Sequence, residues 1–327
     1  MTEANQNPQP RRTDASPDSL PVDEAAALAE RMVENVERVI VGHRDVTEHI
    51  VTTILARGHL LLDDVPGVGK TMLARSLARS IDCEFSRVQF TPDLLPTDVT
   101  GVNVFNEKTR EFEFRPGPIF GNVVLADEIN RAPPKAQSAL LEAMEERQVT
   151  VDGETHPLDD PFTVIATQND LEAERTYELP VAEVDRFTKR LSLGYPAPDE
   201  ESEVLRRVAG HHPIADLEPV ATGEDVMRAR ETTAGVTASE AVREYVTRLA
   251  NYTRDNAELG ASPRGSIALL RSGQARAVLD GRDYVRPDDV QAEAEAVFAH
   301  RIRVGGATGA RSGRELVREA LESVPVE

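Results

Sequence analysis

Apolar positions along the chain follow two periods, and the switches between them lay out the elements. EAAALAERMVENVERVI, from Glu24, spaces apolar residues three to four apart behind an acidic start, the pattern of an amphipathic helix. VGHRD reads as a turn, and VTEHIVTTILAR resumes the helical period. GHLLLDD is a short continuous apolar run, expected for a strand buried on both faces, and TMLARSLARSI predicts a helix close behind it. EFSRVQF alternates as a strand does, NVVLADE and FTVIATQ are two further short apolar strands, and RLSLGYP is a weaker one. Strands alternating with helices predict a parallel α/β sheet. Two stretches break that rhythm with hairpin chemistry: VNVFNEKTREFEF at 102–114, and QVTVDGETHPL at 148–158, where Asp152-Gly153 signals a type I′ turn. Both read as ribbons projecting from the sheet. After YPAPDEES strand signals stop, and helical patterns fill most of 199–327. The chain therefore divides into a polar, Pro-rich tail over 1–22, expected to be disordered, an α/β core over 23–197 carrying both hairpins, and an all-helical part over 198–327.

The strand over HLLL runs into VPGVGKT and then into a helix. That order presents backbone N–H groups and a helix N-terminus to one anion. Gly67 and Gly69 permit positive φ and close approach, Lys70 adds a charge at the β/γ-phosphates, and Thr71 offers a hydroxyl to Mg²⁺. The usual pattern begins with Gly, where this chain has Asp64; at a strand exit Asp is tolerable if its side chain points away. The nucleotide-binding set is Pro66, Gly67, Val68, Gly69, Lys70, Thr71 and Met72. The alternative is a coincidental Gly-rich turn. VVLADEIN is a buried strand ending in two acids: Asp127 would hold the Mg²⁺ shell and Glu128 would polarise the attacking water. A Glu beside a metal-site Asp favours hydrolysis over passive binding; two solvated acids at a strand end are the plainer reading. VIATQND has a polar tip, where Asn169 would orient the water or the γ-phosphate, unless Asn-Asp simply forms a turn. Arg186 in VAEVDRFTKR would act in trans on a neighbour's γ-phosphate, or else pair with Asp185 at the surface. Arg264 in ASPRGS opens a helix and would reach across to the phosphates, unless it is an ordinary first-turn Arg.

Taken in this order, these stretches resemble an AAA+ ATPase, and their wording resembles the MoxR family. The match is carried by VPGVGKT, QFTPDLLPTDVTG (89–101), the long block GPIFGNVVLADEINRAPPKAQSALLEAMEERQVTVDG (117–153), PFTVIATQND (161–170), TYELP (176–180) with DRF (185–187), and SPRGS (262–266). It spans roughly Glu24 to Pro325. The resemblance implies a P-loop NTPase core with a parallel sheet of order 5-1-4-3-2, followed by a helical lid domain. It implies a ring, expected to be a hexamer, with ATP between subunits, and hairpins that face the pore or substrate side. Lys70, Thr71, Asp127, Glu128, Asn169, Arg186 and Arg264 keep the roles given above, and Val41 and Gly42 match the segment bordering the adenine. The implied partners are a von Willebrand factor A domain protein and a client that is remodelled or activated, often by metal insertion. Position 64 is not always Gly in this family. Three departures, Asp170 for Pro, Arg175 for Gly and Val181 for Glu, cluster near the expected subunit interface.

Composition narrows the partners. The chain carries 57 acidic against 37 basic residues, net −20, and only four lysines: Lys70, Lys108, Lys135 and Lys189. Such a field repels nucleic acid and anionic lipid, and no basic, aromatic-interleaved stretch argues for a nucleic-acid motor. The acidity is read as adaptation to high intracellular salt, with a basic partner as the alternative. No apolar run is long enough to span a bilayer, and no apolar segment follows Arg11-Arg12, so a cytoplasmic location is expected. The single cysteine, Cys83, reads as a small core residue, and His211-His212 lacks partners at metal-ligand spacing. Beside the chaperone-like ATPase stands a second hypothesis, a nucleotide-gated adaptor whose turnover is incidental.

Overall fold

The computed structural model describes residues 19–63, 65, 67–168, 177–210, 212–305 and 312–326. Two helices, α1 (Val22–Glu37) and α2 (Arg44–Leu55), precede the first strand, β1 (Leu60–Asp63), and α3 (Lys70–Ser80) follows it. Then come β2 (Phe85–Gln89), α4 (Pro96–Thr100), the hairpin β3 (Gly101–Asn106) and β4 (Glu111–Pro116), β5 (Val123–Asp127), α5 (Pro134–Glu146), the hairpin β6 (Gln148–Val151) and β7 (Glu154–Pro157), β8 (Thr163–Gln168), α6 (Val181–Val184) and β9 (Lys189–Leu191). The rest is helical: α7 (Pro198–Val208), α8 (Gly223–Gly235), α9 (Glu240–Asp255), α10 (Pro263–Leu279), α11 (Pro287–Phe298) and α12 (Gly313–Ser323).

Five parallel strands stand in the order β2-β5-β8-β1-β9. Counting only these strands along the chain and reading from the β9 edge, this is the expected 5-1-4-3-2. Their apolar runs are continuous because both faces are covered. Side chains alternate across the sheet. Leu60, Leu62, Val123, Leu125 and Ile165 join one cluster with α1, α2, α3 and helices α8 to α12. Leu61, Val124, Ala126, Val164 and Ala166 join a second cluster with α5. The N-terminal helices thus share their core with the helices that follow the sheet.

Three local readings shift. Leu20, counted in the tail, is buried, and its carbonyl accepts from Thr232 Oγ1 at 2.7 Å; the tail up to residue 18 lies outside the described residues. The last strand, expected over RLSLGYP, is Lys189–Leu191: it begins one residue earlier and ends at Leu191, and Lys189 within it is fully buried. Cys83 is half-buried against the first cluster, and burial pushes its thiol up to about 11. In the second hairpin Asp152 (φ 51°) and Gly153 (φ 87°) have the positive φ pair of a type I′ turn. In the first, Phe105 and Phe112 pair edge to face across the strands at 5.4 Å and stay exposed. No described helix is long and apolar enough to cross a membrane.

Candidate nucleotide site

The loop after β1 is shaped by glycine. Gly67 has φ 89° and Gly69, which precedes the first residue of α3, has φ 96°. An added Cβ at Gly67 would touch nothing within 4 Å, so backbone conformation, not crowding, calls for glycine there. At Gly69 the nearest atom would be Ile40 Cδ1, at 4.0 Å. Val68 and Met72 pack on the same apolar cluster as Ile40. The turn holding Val41 and Gly42 therefore stands beside the phosphate loop. Gly42 has φ 83° and lies against the Glu200 carboxylate of α7, while Arg207 of α7 donates to the Glu37 and Arg38 carbonyls, both at 2.9 Å. Pro66 and Asp64 lie outside the described residues.

The acid pair sits at the same edge of the sheet. Asp63 at the end of β1 is level with Gln168 of β8, and Ala126 of β5 with Ala166 of the same strand. One strand separates β1 from β5, so their tips stand about 10 Å apart. Asp127 Oδ1 accepts from Thr167 Oγ1 at 2.7 Å, and Oδ2 from Arg87 Nη2 at 2.5 Å. The same Thr167 hydroxyl accepts from the Glu128 N–H at 2.8 Å. Glu128 is held left-handed, at φ 57° and ψ 49°, a conformation that costs a bulky L-residue about 1 kcal/mol or more. Its Oε2 accepts from Gln89 Nε2 at 2.7 Å and from Arg131 Nη1 at 2.9 Å. Asn169 lies outside the described residues.

Arg186 and Arg264 are elsewhere. Thr188, just before β9, donates its N–H to the His59 carbonyl at 2.9 Å, and His59 stands just before β1. Both belong to the amino end of the sheet, a full strand length from the loop: four residues of β1, about 13 Å. Helix α5 follows β5 and returns to that end, where Glu145 meets Arg186 Nε at 3.4 Å and also binds Arg264 Nη2. The alternative surface pair of Arg186 with Asp185 is not among the contacts of either described side chain. Asp185 accepts from Arg301 Nε at 2.7 Å and from the Ser262 hydroxyl at 2.9 Å. Ser262 also caps α10, accepting from the Gly265 N–H at 3.0 Å. Arg264, expected at the phosphates of its own chain, instead shares a cleft of about 340 Å³ with Arg186, because the cap of its helix is fastened to Asp185.

Two buried contacts fasten the segment around Arg186 to the lid helices. Arg301 donates to the carbonyls of Asp185, Phe187 and Thr188 at 2.9, 2.7 and 3.2 Å. Lys189 Nζ lies 2.5 Å from Glu293 Oε2 and 2.7 Å from Thr52 Oγ1, both acidic and basic side chains fully buried. His49 and Arg276 each contact Glu293 at 3.0 Å. Burial alone would raise the Glu293 carboxyl, but Lys189, His49 and Arg276 together hold it well below the carboxylate range; burial draws Lys189 down to about 8. Glu145, Arg301, Gln89 and Arg131 were not singled out from sequence. Glu145 and Arg131 do lie in the long block at 117–153, where only their places in space give them partners.

A phosphate loop on β1, an acid pair on its second neighbour and a helical lid define an AAA-type P-loop ATPase. Residues 59–189 match the family model of the ATPase family associated with various cellular activities, and 249–322 match that of the AAA lid domain. The chain is similar to the Chaperone MoxR1 of Mycobacterium tuberculosis, at 42% identity over 84% of this chain and 75% of that one. It is also similar to Protein MoxR of Methylorubrum extorquens, at 31% over 92% and 95%, and to YeaC of Bacillus subtilis, an uncharacterized protein, at 51% over 91% and 95%. The crystal structure of a candidate ATPase from Cytophaga hutchinsonii superposes with a TM-score of 0.87 at 38% identity, over 93% of this chain and 96% of that one. The chain belongs to the MoxR family of AAA+ ATPases.

Proposed function

We propose that this protein hydrolyses ATP as one subunit of a head-to-tail ring and uses the turnover to remodel or activate client proteins. The observation that carries this reading is the common edge shared by the phosphate loop and the acid pair, with Glu128 held in a strained backbone conformation beside Asp127. The loop amides and Lys70 would grip the triphosphate, and Val41 and Gly42 would border the base. Thr71 and Asp127 suit a hard cation because both offer oxygen, and Asp127 already balances the positive Arg87. When bound, Mg²⁺ would neutralise charge on the β/γ oxygens. Glu128 accepts the proton of the water that attacks the γ-phosphorus, as the bond to the ADP oxygen breaks, with Asn169 orienting that water. Arg186 cannot reach this edge in its own chain, so it would stabilise the transferring phosphoryl group of a neighbour's ATP. The place of Arg264 beside it supports the same trans role. A heterologous interface of this kind closes into a ring, which we take to be a hexamer.

We place the boundary between core and lid near residue 197, a reading supported by the last sheet strand ending at Leu191 and helices following it. We further infer a cytoplasmic, salt-adapted protein that works with a von Willebrand factor A domain partner, the exposed hairpin aromatics meeting the client. A second reading, a nucleotide-gated adaptor, draws support from the two hydrogen bonds that engage Glu128 in the single chain. Glu128→Gln is expected to keep ATP binding and lower turnover about 10²- to 10⁴-fold. Lys70→Ala is expected to lose both. Turnover by Glu128→Gln at the normal rate would remove Glu128 from the mechanism. Client activation by a non-hydrolysable analogue alone would favour the adaptor.

A further inference from the structure

A protein of net charge −20 collects six arginines around one cleft: Arg57, Arg147, Arg186, Arg264, Arg271 and Arg301. Three acids stand among them, and they are not equivalent. Asp160 accepts from Arg147 and Arg230, each at 3.4 Å. Asp185 is tied to Arg301, whose side chain is 2% exposed and hydrogen-bonded to four backbone carbonyls. Asp160 is itself 43% exposed, but its arginines are held by other means: Arg230 is fully buried, and Arg147 donates to the Phe162 and Arg57 carbonyls, both at 2.9 Å. Glu145 differs. Its side chain is 38% exposed, and those of its two partners, Arg186 and Arg264, are 29% and 44% exposed. Exposed ion pairs are weak because water competes for both charges. The cleft thus holds some of its arginines permanently and two on a contact that is easily exchanged.

We propose that Glu145 is a displaceable counter-ion. It brackets Arg186 and Arg264 side by side in the unassembled chain and releases both to the terminal phosphate of a nucleotide carried by the neighbouring subunit. Two guanidinium groups so close would otherwise repel and splay. One carboxylate keeps them aligned, and a phosphate with more charge and more oxygens replaces it. Glu145 is therefore a positioning residue. It lowers the apparent affinity of the interface for ATP, since only the fraction of chains with the arginines released is competent. The inference rests on the trans reading proposed above.

The test compares Glu145→Gln and Glu145→Asp in the full-length ring with ATP as substrate. Glu145→Gln is expected to lower KM for ATP roughly three- to tenfold and to leave kcat within about twofold, because the phosphate itself aligns the arginines once bound. Glu145→Asp keeps the charge and should stay near the wild-type KM. An unchanged or raised KM in Glu145→Gln, with rings intact, would overturn the proposal, as would Glu145→Asp behaving like Glu145→Gln. Mixing Lys70→Ala chains with Arg186→Ala chains tests the trans reading by itself: recovered turnover keeps it and none removes it, whatever Glu145 does.

Discussion

The two ends of the parallel sheet are built in different ways. At the carboxyl end the functional groups come from short contiguous pieces of chain: a glycine loop running into a helix, and two acids at a strand tip. Their positions follow from backbone conformation, with positive φ at Gly67, Gly69 and Glu128. At the amino end the groups come from distant segments, at His59, Glu145, residues 185–189, residues 262–264 and Arg301. They are held by long side chains and buried charges. One end has the backbone shape that the proposed nucleotide would use. The other supplies arginines that have no nucleotide of their own within reach. The difference explains why a single chain holds only half of the proposed hydrolytic site at each end, and why a head-to-tail contact would complete it.

The largest expected effect tests that division directly. Lys70→Ala and Arg186→Ala should each lose about 10³-fold or more in turnover. Random mixing of the two restores about a quarter of the interfaces, and turnover should recover in proportion. A mixture as inactive as its components would mean that both ends serve one chain's nucleotide.

Next comes the fastening of the amino end to the lid. Lys189→Met leaves Glu293 buried and short of a partner, and should destabilise the fold by about 3 kcal/mol in urea unfolding. Lys189→Met combined with Glu293→Leu should cost less than the sum of the single changes, since the two residues interact directly. Additive losses would show that the pair does not join lid to strand.

The smallest effect is a pH dependence. His59 is fully buried; its Nδ1 accepts from the Val164 N–H at 3.0 Å and its Nε2 donates to the Met144 carbonyl at 3.2 Å, which fixes a neutral ring. Burial, with Arg147 and Arg230 nearby, lowers its pKa to about 3. Between pH 6.5 and 3 the unfolded chain binds a proton that the folded chain refuses. Stability therefore falls as pH falls through this window, by at most 1.36 kcal/mol per pH unit for this group. Glu293, held below its usual range, acts in the same direction at lower pH. His59→Gln should flatten the slope between pH 6 and 4, read as unfolding midpoints across that range. An unchanged slope would show that the amino end tolerates charge at this position.

Much of this molecule was legible from its chain alone, because its chemistry is written in consecutive residues. PGVGKT, LADE and the Asp152-Gly153 turn each specify a conformation within a few positions; continuous apolar runs marked three of the five sheet strands and alternation a fourth. The order of those strands came through the family resemblance, and the pairing agrees with it. What the chain could not disclose is which distant charges meet. Nothing near Lys189 in the chain announces Glu293, which a distant helix brings to the edge strand Lys189–Leu191. Arg264 carries no mark of the end to which it belongs; Ser262 on Asp185 decides it. Local backbone preference is set by neighbouring residues, so it survives in the one-dimensional record. The partner of a long charged side chain is set by how the helices cross back over the sheet, and only the folded chain determines that.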